Sequence, residues 1–325
     1  MWKTDESGRR VVLASAAEVA GRVEDGMTIV LGGFITANHP MPIVRELVRR
    51  RVRDLTVIGA ATAGLDVDLL IGAGCVRKLI APYVGAELYT PIGHCFRRAA
   101  ERGELEIWES SEYIMYAGLQ ARAMGQDFVA WQGGIGTSIP ELNPDLKVFE
   151  SPLGDGKEYI AVPAIGADWG FFHVGVADCY GNAQHLGARF GDRLMARAAD
   201  RVAVCAEKVV PNEVIRRDPM RTTIPYADAV VEAPYGSHPY SSHGCYGEDA
   251  AHIRAYVAAS EAYRKGDEAA FEAYLAEWID GPEDHAAYLD KVGTRTLLEL
   301  ERAYAGMTSG RPLREVGAHG SGGMR

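Results

Sequence analysis

The sequence predicts an α/β fold, with an open, mostly parallel sheet, helices on both faces and a helical C-terminal extension. Two observations support this prediction. From Met27 to Ala130, short and continuously apolar segments alternate with longer helical patterns, as in parallel sheets covered on both sides. After His252 the patterns are largely helical. Right-handed crossovers should then bring the strand ends, with their glycine turns, to one side of the sheet.

The first elements follow from capping and periodicity. Ser15-Ala16-Ala17-Glu18 is a capping box, which predicts a short helix to about Glu24. The strands predicted next are Met27–Leu31, Leu55–Ile58, Val76–Ala81, Leu105–Trp108 and Phe128–Ala130. The helices predicted between them lie near Pro42–Arg50, Asp66–Ile71, Ile92–Arg102 and Glu112–Met124.

A second α/β part follows a segment rich in Pro, Asn, Gly and acidic residues, Pro140 to Gly156, which predicts a loop or flap. Its predicted strands are Tyr159–Val162, Trp169–Val176, Val202–Ala206 and Ala229–Glu232, and its predicted helix is Arg189–Ala199. Further helices are expected at Asp267–Ile279 and His285–Tyr304. We therefore expect one α/β domain at 1–250, a helical extension at 251–308 and a flexible, Gly-rich tail at 309–325.

Composition narrows the class of protein. The 325 residues are 47% hydrophobic and 24% charged, as in globular proteins, and the formal charge of −10 argues against nucleic-acid or anionic-membrane partners. Five scattered cysteines without a CxxC pair suit a reducing compartment. The charged segment Met1–Arg10 lacks an apolar signal core, and no run reaches the length of a membrane span. We expect a cytoplasmic protein with no membrane partner.

Several common chemistries have no motif here. No GxGxxG follows the first strand and no GxxxxGK[ST] occurs, so dinucleotide and P-loop nucleotide binding are unsupported. GxSxG is absent, which argues against an α/β-hydrolase nucleophile. His238 and His243 share a loop, but no carboxylate or cysteine is clearly spaced to complete a metal site. We expect no metal.

A glycine pair is the strongest candidate for ligand binding. Gly32-Gly33-Phe34 ends the first apolar strand, where paired glycines allow a sharp turn and bring bare N–H groups close to a ligand. Such donors can hold a thioester or carboxylate oxygen without a side chain. Strand-to-helix turns also use Gly–Gly for steric reasons alone, so both interpretations remain open.

Three further segments carry candidate residues, each with a structural alternative. Gly133, Gly134 and Gly136 follow a strand and could wrap a backbone around a ligand or form a plain turn. Ser111 and Glu112 precede a helix, where they could cap it or complement its dipole, or could lie at the carboxyl edge of the sheet where ligands bind. The rigid Pro/Gly loop Ala233–Pro239 presents His238, either to a ligand or to the core.

Taken together these segments resemble the family I coenzyme A transferases, in particular the glutaconate-type alpha subunits, from about residue 12 to 303. The matching motifs are GGF at Gly32–Phe34 with Pro40, DLT at Asp54–Thr56, LIGAG at Leu70–Gly74, the helix end Ala123–Gly125, EVIRRDP at Glu213–Pro219, ADAVVEAPYGSHP at Ala227–Pro239 and EW…DH…YL…G from Glu277 to Gly293.

The resemblance implies one half of a two-chain enzyme, with the active site between the alpha chain and a similar beta subunit. The beta subunit's glutamate attacks an acyl-CoA to form a mixed anhydride, and a glutamyl-CoA thioester then passes CoA to an acceptor acid. Coenzyme A is thus a substrate, and no tightly bound cofactor is implied. Gly32, Gly33 and Phe34 would line the acyl side, with the Gly133–Gly136 turn and His238 as further walls.

Two departures from the family pattern bear on the reaction. The segment Ala60–Asp66 lacks the asparagine pair of many relatives, which suits the glutaconate subgroup. Transferase alpha chains generally have glutamine at the position of Glu112, and a carboxylate there is an anion and a possible base. Some family members are hydrolases that open a ring of steroid-derived CoA thioesters with an alpha-chain glutamate in this neighbourhood.

Three hypotheses therefore stand. The first is the alpha subunit of an acyl-CoA:carboxylate CoA-transferase acting on a small or medium acid such as a dicarboxylate. The second is a CoA-thioester or C–C hydrolase with Glu112 as general base, a role that requires a carboxyl shielded from water. The third is a binding subunit that mainly positions the chemistry of its partner.

Overall fold

A computed structural model describes residues 3–308; the predicted tail at 309–325 lies outside them. The strands are β1 (Lys3–Thr4), β2 (Arg10–Val11), β3 (Thr28–Leu31), β4 (Leu55–Ile58), β5 (Val76–Ile80), β6 (Glu106–Ile107), β7 (Phe128–Trp131), β8 (Lys147–Glu150), β9 (Glu158–Pro163), β10 (Ala167–Ala177), β11 (Ala183–Gln184), β12 (Ala199–Val209), β13 (Thr222–Ile224) and β14 (Ala229–Glu232). The helices are α1 (Ala16–Ala20), α2 (Met41–Arg49), α3 (Leu65–Gly72), α4 (His94–Arg102), α5 (Glu112–Ala123), α6 (Ile139–Leu142), α7 (Asp192–Ala198), α8 (Asn212–Arg216), α9 (Ala250–Arg264), α10 (Glu268–Leu275), α11 (His285–Val292) and α12 (Thr294–Thr308).

The main sheet is open and mostly parallel, as predicted. Its parallel strands lie in the order β6-β5-β4-β3-β10-β12-β14. The short strands β11 and β13 add an antiparallel margin where β11 pairs with the end of β10. Because β3, β4, β5 and β6 all run the same way, the loops after them emerge at one edge.

Helices cover both faces of this sheet, and the side chains alternate between two cores. Ile29 and Leu31 point into one core with α1 to α4, α9 and α10, whereas Val30 points into the other with α5 and α7. Phe171 and Phe172 on β10 divide in the same way. This period of two along buried strands confirms that the apolar runs are strands of a sheet covered on both faces.

The strands at Phe128 and Tyr159 exist but belong to a different sheet from the one predicted. They form β7 and β9, which pair antiparallel with β8 in a separate three-stranded sheet. Alternate residues of β9 are buried, which is the pattern of a sheet covered on one face only. The segment 140–156, predicted as a loop or flap, supplies β8 and most of α6. Its exposed, weakly apolar composition concealed an edge strand.

Element ends differ from prediction where the backbone turns left-handed. The capping box is confirmed, since Ser15 Oγ accepts from the Glu18 N–H at 3.1 Å, although α1 ends at Ala20. The helix predicted from Arg189 begins only at Asp192, because Phe190 has φ +41°. The helix predicted at His285–Tyr304 divides at Gly293, which has φ +89°.

The helical extension packs onto the face that carries α2, α3 and α4. Tyr256 donates to the buried Asp68 at 2.8 Å, and Arg98 pairs with Glu268 at 2.6 Å. Among the described residues, every helix is too short or too polar to cross a bilayer.

Candidate active site

A cleft of about 510 Å³ opens at the carboxyl edge of the main sheet, between α5 and α7. Phe34 reaches it from the turn after β3, Ala61 from the loop after β4 and Glu112 from the start of α5, which follows β6. In open α/β folds this edge is where ligands bind. The structure thus brings two of the sequence-predicted residues, Phe34 and Glu112, into one cleft.

Two helical faces of opposite character line this cleft. Helix α5 contributes Glu112, Tyr116 and Gln120, which are spaced four residues apart and so share one face. The opposite wall carries Arg193 and Arg197 of α7, also four apart, together with Arg189 from the preceding loop. The sequence analysis missed these three arginines and Tyr116. Their regular spacing in the sequence was the available signal.

Glu112 is exposed at the mouth of the cleft and has no hydrogen-bond or ion-pair partner among the described residues. It is the only carboxylate among the residues that line the cleft, which include no serine, threonine or cysteine. The shielding that a general base requires is therefore not provided by this chain. A second chain or bound substrate would have to supply it.

Tyr116 is half-buried beside Glu112. Its phenolic oxygen accepts the Ala61 N–H at 3.3 Å and lies against Gly191. Burial, reinforced by the negative charges of Glu112 and Asp192, raises the pKa of Tyr116. The phenol therefore stays protonated at neutral pH, and its proton is available to a ligand in the cleft.

The glycine pair has a steric role in this structure. A Cβ on Gly32 would lie 2.4 Å from Cδ1 of Phe172, and Gly33 has φ +94° with the Ala37 carbonyl oxygen 2.7 Å from its Cβ position. No other residue type fits these two positions without displacement. The glycines therefore let the chain turn directly over the sheet.

The backbone donors predicted at this turn are already paired. Gly32 N–H donates to the Phe171 carbonyl at 2.9 Å, and Phe34 N–H donates to the Ala37 carbonyl at 2.9 Å. Gly33 N–H donates to Asp192 Oδ1 at 3.0 Å. What the turn presents to the cleft is the Phe34 ring.

A buried hydrogen-bond chain, also missed by the sequence analysis, supports the turn. Asp192 is fully buried, and its Oδ2 lies 3.0 Å from His185 Nε2. His185 Nδ1 lies 2.7 Å from Thr223 Oγ1. The chain from Gly33 through Asp192 and His185 to Thr223 therefore links β3, α7 and β13.

Two stacked phenylalanines divide the cleft from a neighbouring cavity. The rings of Phe34 and Phe190 are 5.2 Å apart and inclined by 22°. Both also line a mainly apolar cavity of about 270 Å³ that includes Leu88 and His243. The stack is thus a shared wall between a charged compartment and an apolar one.

The other predicted residues near α5 support the helix rather than line the cleft. Ser111 caps α5, with Oγ accepting the Ile114 N–H at 3.4 Å. A Cβ on Gly134 would lie 3.0 Å from Cδ1 of Ile114, and one on Gly133 would lie 2.6 Å from Nε1 of Trp131. Gly136 lines a separate cavity of about 370 Å³. The predicted wall at Gly133–Gly136 therefore lies behind the helix.

His238, predicted as another wall, is buried and its ring is held by the protein. Nδ1 lies 2.7 Å from the Tyr288 hydroxyl and Nε2 lies 3.2 Å from Asp249. Ligand atoms of His238, Asp249 and His252 lie within 4.8 Å of one another. His252 Nε2 lies 3.1 Å from the Tyr274 hydroxyl. This cluster joins the helical extension to the α/β domain.

The fold and cleft define an open α/β protein with a ligand site at the carboxyl edge of its sheet. The coenzyme A transferase family model matches residues 13–233. One of the two glutaconate CoA-transferase chains of Acidaminococcus fermentans is 33% identical over 300 residues, which cover 87% of this chain and 92% of that one. The chain belongs to the coenzyme A transferase family.

Two more relatives show the fold and the range of chemistry in this family. The crystal structure of glutaconate coenzyme A-transferase from Acidaminococcus fermentans superimposes with a TM-score of 0.82 at 31% identity, covering 89% of this chain and 95% of that one. The cholesterol ring-cleaving hydrolase IpdA subunit of Rhodococcus jostii is 31% identical over 283 residues, 83% of this chain and 92% of its own length.

Proposed function

We propose that this chain is the alpha subunit of a heteromeric acyl-CoA:carboxylate CoA-transferase. The observation that carries the proposal is the cleft at the carboxyl edge of the sheet, in a chain that shares 33% identity with its glutaconate CoA-transferase relative. The cleft itself contains no serine, threonine or cysteine nucleophile and a single exposed carboxylate. A second chain that brings a glutamate against the open side would complete the site.

In this mechanism the partner's glutamate attacks the acyl-CoA carbonyl and releases the CoA thiolate. The thiolate then attacks the glutamyl carbonyl of the mixed anhydride, releases the first acid and leaves a glutamyl-CoA thioester. The acceptor acid reverses these steps, so coenzyme A is a substrate. The alpha chain would shape the acyl pocket with Phe34 and orient groups with Tyr116, while Gly32 and Gly33 place Phe34.

A second candidate is a CoA-thioester or C–C hydrolase with Glu112 as general base. The position of Glu112 in the cleft favours it, as does the 31% identity with the ring-cleaving hydrolase. In this reaction the carboxylate takes a proton from water, which then attacks the substrate. Glu112 would have to lose its exposure when partner and substrate bind. A third candidate, a binding subunit with no catalytic group, differs from the transferase in degree.

The first experiment uses the chain co-purified with its partner and a panel of acyl-CoA thioesters. Thiol release is followed by colorimetry, with and without acetate or succinate, and products are identified by mass spectrometry. New acyl-CoA that forms only with an acceptor and without free CoA would establish the transferase. Free CoA or a ring-opened product without an acceptor would establish the hydrolase.

The variant Glu112→Gln separates the roles of this chain. For a transferase the amide should preserve turnover within a few-fold, whereas a hydrolase should lose about 100-fold or more with its general base. Glu109→Gln is the matched control, because Glu109 is also exposed near the start of α5 but does not line the cleft. The chain purified alone should turn over no acyl-CoA, and robust activity alone would contradict the heteromer.

A further inference from the structure

Three arginines in the Glu112 cleft have no ion-pair partner among the described residues. Arg189, Arg193 and Arg197 are exposed and line one wall. By contrast, Arg122 on the neighbouring helix pairs with Asp200. Acidic residues outnumber Lys and Arg by 44 to 34 in this chain, so a concentration of unpaired cations in one cleft is unexpected from composition.

The placement of two of these arginines suits a planar anion. Arg193 and Arg197 are four residues apart on α7, so their Cα atoms are separated by about 6 Å along the helix and their side chains leave from the same face. Guanidinium groups at this spacing can hold one carboxylate or phosphate through several charged hydrogen bonds.

The arginine pair also connects two cavities. Arg193 and Arg197 line the cleft with Glu112 and, on their other side, a cavity of about 330 Å³ with Thr222 and Thr223. An anion held between them would lie at the far end of the cleft from the exposed mouth of α5. A substrate that reacts beside Glu112 would therefore reach the arginines with a group remote from its reacting carbonyl.

We propose that Arg193 and Arg197, assisted by Arg189, form a subsite for a remote anionic group of the substrate. This inference rests on the proposed acyl-CoA chemistry and adds a recognition element to the same site. Two sources carry the required charge: a second carboxylate at the distal end of the acyl or acceptor acid, and the phosphates of coenzyme A. Neutral acyl chains on a carrier without phosphates would gain nothing from it.

The test measures kcat/KM for four thioesters with the chain co-purified with its partner. Glutaryl-CoA and valeryl-CoA match in chain length and differ in the distal carboxylate, and the corresponding pantetheine thioesters lack all phosphates. The variants are Arg193→Gln/Arg197→Gln and the charge-preserving Arg193→Lys/Arg197→Lys. Arg22→Gln, an exposed arginine that lines none of the cavities described above, is the control.

For a distal carboxylate, the double Gln variant should reduce the preference for glutaryl over valeryl thioesters by about tenfold or more, on both carriers. For phosphate recognition, both CoA thioesters should lose that factor and the pantetheine thioesters should not. The double Lys variant should retain part of the effect in either case, because Lys keeps the charge without the planar fork.

Equal kcat/KM changes for all four thioesters, or no change, would overturn the subsite. Absence of turnover by the wild-type complex would instead overturn the proposed function. The subsite is then judged by calorimetric titration of glutarate and of desulfo-CoA into wild-type and double Gln complexes. Tighter binding of either ligand by the wild type supports it, and equal affinity for both overturns it.

Discussion

The N–H of Gly33 donates to Asp192 Oδ1 at 3.0 Å, which fixes the turn after β3 against the first residue of α7. Phe34 follows one partner of this bond and Arg193 follows the other. One buried carboxylate therefore sets the relative position of two cleft walls that are far apart in sequence. Its second oxygen is occupied by His185, so the carboxylate has no free side.

Replacement of Asp192 should separate charge from hydrogen bonding. Asp192→Ala leaves the Gly33 N–H and the His185 ring without partners in a buried site, and we expect the free energy of unfolding to fall by about 2–4 kcal/mol. Asp192→Asn should cost less, because its amide can accept from Gly33 and donate to His185 after a change of histidine tautomer. Urea denaturation of the full chain measures both values, and equal losses would contradict this account.

Gly33→Ala tests how far the turn depends on the absence of a side chain. Both Gly33 and Gly74 have left-handed φ, but a Cβ meets the Ala37 carbonyl oxygen at 2.7 Å only at Gly33, whereas Gly74 has open space. Gly74→Ala should therefore cost about 1–2 kcal/mol from backbone strain alone. Gly33→Ala should cost clearly more and should also lower activity of the complex. A match between the two losses in thermal unfolding would show that the close contact relaxes freely.

Removal of one ring from the Phe34–Phe190 stack should change substrate length preference. Phe190→Ala would join the Glu112 cleft to the adjacent apolar cavity, since both rings line both spaces. We expect kcat/KM for long acyl-CoA chains to rise relative to short ones by about tenfold, in line with the burial of a few more methylene groups. An unchanged ratio of octanoyl-CoA to butyryl-CoA turnover would argue that acyl chains do not reach this wall.

Local sequence patterns predicted the parallel sheet because each buried strand is a continuous apolar run between turn residues. They misplaced β7 and β9, since pairing partners depend on which face another layer covers, and a single strand does not record this. The strand β8 at Lys147–Glu150 was missed for the same reason: it is largely exposed and is held by pairing with β9.

The site was predicted only where a residue's role follows from its place at a strand end. Phe34 and Glu112 were found because each follows a strand, whereas Asp192 and His185 act through contacts between distant segments. His238 misled because a histidine in a Pro/Gly loop suggests exposure, and only packing with Tyr288 of the extension reveals its burial.

A group of buried histidines joins the helical extension to the α/β domain without a carboxylate for each ring. His285 lies 3.0 Å from the buried guanidinium of Arg45, which also stacks on Tyr288 at 3.7 Å. Burial, then the charge of Arg45, lowers the pKa of His285 to about 3. Burial, then the neighbouring His238, lowers the pKa of His252 to about 3. Both rings are therefore neutral in the folded chain over the physiological range.

This arrangement predicts that acid destabilises the protein before its carboxylates titrate. In the unfolded chain both histidines take up protons near their usual pKa of 6.5, while the folded chain resists protonation until about pH 3. Stability is thus fully present above pH 6.5 and is lost as the pH falls towards 3, by about 1.4 kcal/mol per pH unit for each ring. Urea denaturation between about pH 7 and pH 5 measures the slope. His252→Gln and His285→Gln should each remove about half of the two-ring slope, and slopes parallel to the wild type would show that these histidines do not control it.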